Sequence, residues 1–148
     1  MRSDPDQSER SKHHRAFLDP KTATLLLEND AARLRRALLD QDVDEVDVNA
    51  YLSILQDKSA LEGALNWYRA AGSRGSALED PSAAMVSVPT LYIWGDADAT
   101  VGRAAAVGTA DHIGGPYRFE ILPGVGHFVT DQAGETVSEL LLDFLAGV

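Results

Sequence analysis

The 148-residue chain has no cysteine, which removes disulfide frameworks, thiolate nucleophiles and thiolate zinc sites together. Positive charge is scarce: 13 Lys and Arg stand against 23 Asp and Glu, for a formal charge of −10. That balance repels phosphate backbones unless basic residues cluster, and "LRRAL" and "KHHR" are the nearest approach to a cluster, so no nucleic-acid partner is expected. Long apolar runs are also missing. "TATLLL" and "TVSELLLDFLAGV" fall well short of a membrane span, and "MRSDPDQSERSKHHR" has no signal-peptide core. A cytoplasmic protein without a membrane partner is therefore expected. Neither an internal repeat nor a low-complexity tract breaks the ordinary composition of a globular domain.

What is present changes character near Gly72. Before it, the chain reads as helices after a polar, charged and flexible start. "KTATLLLENDAARLRRALLD" repeats Leu27, Ala31, Leu34 and Leu38 at helical spacing, with Arg33, Arg35 and Arg36 outward. A second helix is expected from Asp47 to Gln56. A third covers "SALEGALNWYRAA", opened by Ser59 with Glu62 at the capping-box spacing and closed by Gly72. After it, "GSRGSALEDPSA" reads as a connector. "VSVPTLYIWG" and "YRFEILPG" read as strands buried on both faces, with the helix "ATVGRAAAVGTADHI" between them. An amphipathic helix with Val137, Leu140, Leu141 and Phe144 on one face closes the chain. The expected organisation is a helical unit over 1–72, a connector over 73–88, and a β-α-β-α unit over 89–148 with parallel strands. Two such strands need neighbours, so the second half reads as the edge of a larger α/β sheet.

In such sheets function gathers at the carboxyl ends of the strands. Asp96 and Asp98 follow the first strand and His127 follows the second. A carboxylate and an imidazole at one sheet edge can form the base and orienter of a catalytic triad, because the carboxylate fixes the tautomer and stabilises the imidazolium. Each residue also has a plainer reading. Gly-Asp-x-Asp is good turn chemistry, a lone turn histidine is commonly structural, and Trp67 and Tyr68 suit a helix core. His13 and His14 lack further ligands at metal-binding spacing and are given no role, so no metal is expected.

"VPTLYIWGDADATVG", then "YRFEILPGVGHF" and a terminal amphipathic helix, resembles the C-terminal part of an α/β-hydrolase, and "GALNWYRAAG" is similar to the cap of epoxide hydrolases and related dehalogenases. The resemblance implies a partial α/β-hydrolase fold with a helical cap in the N-terminal half. It makes Asp98 the acid, with Asp96 as second choice, His127 the catalytic base, and Tyr68, beside Trp67, a substrate-binding hydrogen-bond donor. It implies a small apolar organic substrate, no cofactor, and a covalent alkyl- or acyl-enzyme. The family's oxyanion loop and nucleophile elbow have no counterpart here: "GSRGS" has neither the spacing nor a preceding strand. The expectation is a truncated hydrolase that lacks its own nucleophile and whose independent activity is doubtful. Beside it stand a non-catalytic remnant or subunit working through self-association or a missing N-terminal half, an esterase or dehalogenase on the same scaffold, and a helix-rich binding protein without enzymatic ancestry.

Overall fold

The computed structural model of the chain describes residues 5–73 and 85–148, so most of the connector expected over 73–88, and of "GSRGS", lies outside the described residues. Helices α1 (Pro5–Arg10), α2 (Lys12–Leu18), α3 (Thr22–Leu39), α4 (Glu45–Leu55) and α5 (Lys58–Ser73) come first. Strand β1 (Thr90–Gly95), helix α6 (Arg103–Gly108), a 3-10 turn (Thr109–His112), strand β2 (Tyr117–Leu122), the one-turn helix α7 (Val129–Gln132) and helix α8 (Gly134–Ala146) follow. They form two compact units: Ser11–Ser76, and Met1–Arg10 together with Ala77–Val148.

In the helical unit, Leu34 and Leu38 of α3, Val48 and Leu52 of α4, and Leu61 and Leu65 of α5 are buried. Their i, i+4 spacing puts both members of each pair on one helix face. Three expectations for the first half are corrected. The start is helical, with α1 and α2 formed between residues 5 and 18 ahead of the first helix expected. Helix α3 is not continuous: Glu28 is extended, and Asn29, Asp30 and Ala31 take φ of 54, 57 and 56°, left-handed backbone that splits the apolar repeat. Asn and Asp tolerate that region because their short polar side chains bond locally, a property that periodicity does not register. Finally, Ser59 does not cap α5. Asp57 does, its Oδ1 accepting from the amides of Ser59 (2.8 Å) and Ala60 (3.0 Å), while the Ser59 hydroxyl donates to the same oxygen (2.5 Å).

These bonds, the Ser59 hydroxyl first and then the amides of Ala60 and Ser59, hold the Asp57 carboxyl below its ordinary value. A depressed folded-state value means that the cap contributes fully above the ordinary carboxylate range and is lost as pH falls through the folded value. Asp57→Ala should lower the thermal midpoint by a few degrees at neutral pH, with the difference from the parent shrinking under acid conditions.

In the second unit, β1 and β2 pair in parallel, from Thr90 opposite Tyr117 to Gly95 opposite Leu122. The first strand is shorter than expected: Val86 makes only an isolated bridge with Ile113, and pairing resumes at Thr90. Tyr92 stacks on Phe119 (5.2 Å between centroids), Tyr117 stacks on Phe119 (6.3 Å), and the Arg103 guanidinium lies 5.4 Å over the Trp94 ring. Arg118 reaches Glu120 (2.7 Å) and Asp143 of α8 (2.5 Å), and those carboxylates, Asp143 foremost, push its pKa up.

The strands are not buried on both faces as expected; most of their residues are half-exposed, and Trp94, Gly95 and Leu122 are the buried ones. Val137, Leu140 and Phe144 of α8 are half-buried, whereas Leu141, Leu142 and Leu145 are 47, 68 and 56% exposed. Two strands and their helices supply too little apolar surface to close over each other. The Tyr117 hydroxyl oxygen is buried and finds no partner among the described residues, and burial pushes its pKa up. Removing that oxygen costs no hydrogen bond, so Tyr117→Phe is expected to stabilise this chain by about 1 kcal/mol in chemical denaturation.

No helix among the described residues is long and apolar enough to cross a membrane.

Candidate active site

The site lies where the two parallel strands end. Beyond β1, the Asp98 amide turns back to the Gly95 carbonyl (3.2 Å), and Asp98 Oδ1 accepts from the amides of Thr100 (2.6 Å) and Val101 (2.9 Å). That turn is why the helix expected from residue 99 starts only at Arg103: Asp98 binds the amides that an earlier helix would have used. The remaining oxygen, Oδ2, stands 3.0 Å from His127 Nδ1. The Asp98 side chain is 5% exposed and that of His127 39%.

The Asp98 carboxylate has only acceptors to offer, so Nδ1 of His127 carries the proton and donates, leaving Nε2 as the basic nitrogen of the neutral ring. Nε2 has no hydrogen-bond partner among the described residues. A half-exposed imidazole with Nδ1 fixed and Nε2 free can take a proton from a water molecule, and the adjacent carboxylate then stabilises the imidazolium. Desolvation, followed by the negative charge of Asp98 and the neighbouring Tyr117, raises the pKa of the Tyr92 phenol above its ordinary value.

The loop after β2 is held by three contacts with the end of β1. Asp96 Oδ1 accepts from the Gly124 amide (2.7 Å), the Asp96 amide donates to Leu122 (3.1 Å), and the Ala97 amide donates to Val125 (3.0 Å). Asp96 therefore ties backbone to backbone, while Asp98 meets the histidine. The 125–126 backbone runs so close to the strand end that a side chain at Gly95 would strike it: a Cβ there would sit against the Val125 carbonyl oxygen and 2.6 Å from that of Gly126. Gln132 of α7 accepts from the Gly126 amide (2.5 Å), fixing the residue before His127 from the other side.

Tyr68 and Trp67 belong to the helical unit. The Tyr68 ring contacts those of Phe17 (4.8 Å) and His14 (5.2 Å), and Trp67 is 77% exposed. His13 contacts His14 and Phe17 through ring edges. Among the described residues no group of three or more His, Asp or Glu side chains could hold a metal ion. Sequence reasoning passed over Gln7 and Gln132, whose amides brace the two loops; only their placement in the fold reveals them.

No family model matches the chain. Epoxide hydrolase A of Mycobacterium tuberculosis is 33% identical over 91 residues, which is 62% of this chain and 28% of that protein. Epoxide hydrolase 3 of Xenopus tropicalis is 28% identical over 153 residues, 97% of this chain and 41% of that protein. Among solved structures, the epoxide hydrolase of Bacillus megaterium superposes with a TM-score of 0.79 at 19% identity, over 98% of this chain and 54% of that one. The chain thus spans between about a quarter and two fifths of these curated relatives, and about half of the solved chain. It carries part of the α/β-hydrolase fold and is epoxide-hydrolase-like in sequence.

Proposed function

We propose that this chain supplies the acid and base of an epoxide-hydrolase-like active site, and that the nucleophile comes from polypeptide outside these 148 residues. The observation that carries the reading is the bond from His127 Nδ1 to Asp98 Oδ2 (3.0 Å) across the ends of two paired parallel strands. Supporting it are the sequence likeness to epoxide hydrolases, the two-stranded sheet, and the buried Tyr117 hydroxyl without a partner. A parallel pair of strands is stable as part of a wider sheet, so further strands would be the natural neighbours of this one.

In the full reaction the nucleophile, a carboxylate for an epoxide, attacks a ring carbon and the carbon–oxygen bond breaks toward the oxygen. Tyr68, matching the cap tyrosine of that family, is assigned the proton given to the departing alkoxide, and Trp67 beside it a part in binding the substrate. The product of this step is an ester between enzyme and alkyl group. His127 Nε2 then removes a proton from water, the hydroxide attacks the ester carbonyl, the diol leaves as the carboxylate nucleophile is regenerated, and the proton held on His127 returns through solvent to the Tyr68 phenolate. Asp98 holds Nδ1–H throughout and stabilises the charged ring. No step calls on a cofactor or metal. With a serine nucleophile the same pair would serve an esterase. As a subunit without chemistry, the chain would keep the pair but show no turnover that depends on it.

The test joins this chain to the rest of epoxide hydrolase A, in place of the segment of that enzyme that it matches. The chimera should convert styrene oxide to its diol and lose that turnover with His127→Ala, whereas the 148-residue chain alone should be inactive. Turnover by the chain alone would contradict the assignment of the nucleophile. A chimera whose turnover ignores His127→Ala would contradict the assignment of the base.

A further inference from the structure

The loop that carries Asp98 is held by a helix almost a hundred residues earlier in the sequence. Gln7 of α1 is 6% exposed. Its Nε2 donates to the Thr100 carbonyl (2.9 Å), and its Oε1 accepts from the Gly102 amide (2.9 Å). Arg10, one turn further along the same helix, donates from its guanidinium to the Asp98 carbonyl (2.9 Å), and its Nε is paired with Asp6 (2.8 Å). Trp94 Nε1 donates to the Val101 carbonyl (3.1 Å), and Asp98's own Oδ1 accepts from the amides of Thr100 and Val101. At Asp98, Thr100, Val101 and Gly102 the backbone of this loop thus spends polar groups on fixed partners, and α1 supplies three of them. The fit is close: a Cβ at Gly102 would lie 2.8 Å from the Asp6 carboxylate.

We propose that Gln7, assisted by Arg10, is a positioning residue for the catalytic pair, holding the 98–102 loop so that Asp98 Oδ2 stays on His127 Nδ1. The inference rests on the reading of that pair given above. Asp98 reaches the histidine with one oxygen while the other winds its own loop, so a shift of the loop moves the oxygen facing His127. The Gln7 amide suits the task because it donates to a carbonyl and accepts from an amide two residues further on. A glutamate would set its charge against the Thr100 carbonyl, and an apolar side chain of equal size would leave two buried backbone groups unpaired.

The test is nuclear magnetic resonance on the isotope-labelled 148-residue chain, reading the solvent exchange of the His127 Nδ1 proton and the tautomer of its ring. Asp98→Asn is the control for the pair itself and should abolish the protected Nδ1 proton. Gln7→Leu should speed the exchange by about tenfold, the equivalent of one to two lost hydrogen bonds, and shift the ring toward a tautomer mixture. Arg10→Ala, at a partly exposed position, should act in the same direction by a few-fold and stands in if Gln7→Leu does not fold. A purely structural role for Gln7 would lower the melting temperature and leave exchange and tautomer in the folded chain as they were. Parent-like exchange in folded Gln7→Leu, or in Arg10→Ala where that variant stands in, overturns the inference while an altered Asp98→Asn spectrum leaves the pair intact. An unaltered Asp98→Asn spectrum overturns both.

Discussion

Asp98→Asn is expected to lower turnover of the chimeric hydrolase by about 10,000-fold, with KM falling as the alkyl-enzyme accumulates and the fold retained. The amide oxygen can replace Oδ1 and still accept from the amides of Thr100 and Val101, so the loop keeps its turn. The amide nitrogen then faces His127 Nδ1 at the place now held by Oδ2. Two donors cannot share that bond, so Nδ1 must become the acceptor and Nε2 must carry the proton. A ring protonated at Nε2 cannot take a proton from water there, and the charge stabilisation is lost as well. Asp98→Ala should instead show both kinds of damage. It leaves the Thr100 and Val101 amides without their acceptor in a part-buried loop, and each such loss costs about 1 kcal/mol. Steady-state kinetics and denaturant unfolding on the two variants separate tautomer control from loop support.

Gly95→Ala should destabilise the chain by about 3 kcal/mol. The new methyl would meet the Val125 carbonyl oxygen and lie 2.6 Å from the Gly126 carbonyl oxygen. These are backbone atoms with no rotamer to change. The loop after β2 must therefore move outward, giving up the bond from the Ala97 amide to Val125 (3.0 Å) and straining that from the Gly126 amide to Gln132. His127 is the next residue along, so the displacement should also part it from Asp98. A lower unfolding free energy with loss of the protected Nδ1 proton in the residual folded population is the expected pair of results. A shift in stability alone would mean that the loop can retreat and still present the histidine.

Both strands were legible in the sequence because their β-branched and aromatic runs sit between Pro and Gly, and the spacing from Asp98 to His127 allowed one helix and one strand between them. Other features depended on competition between neighbours. Asp57 displaced Ser59 as the α5 cap because a carboxylate at that position reaches both amides, and the serine hydroxyl donates to it as well. The left-handed run at Asn29, Asp30 and Ala31 breaks an apolar repeat that continues on both sides. Helix α1 was the least legible. Its sequence is polar, the single residue Gln7 is buried by contacts 93 and 95 residues away, and no local pattern encodes a partner at that distance. Between the two carboxylates of "GDAD", the resemblance favoured Asp98, and the geometry gives the physical difference: Asp96 is exposed and turned to the Gly124 amide, while Asp98 is buried and places Oδ2 3.0 Å from His127 Nδ1.

The central claim, that His127 activates the water that releases a covalent intermediate, is tested most directly by intact-mass spectrometry of the chimera carrying His127→Ala after a single exposure to styrene oxide. If the histidine performs that step, alkylation by the nucleophile proceeds and hydrolysis stalls, so the protein should gain the mass of one substrate molecule and hold it while the parent chimera returns to its free mass. A His127→Ala chimera that shows only its free mass and forms diol at the parent rate would contradict the account.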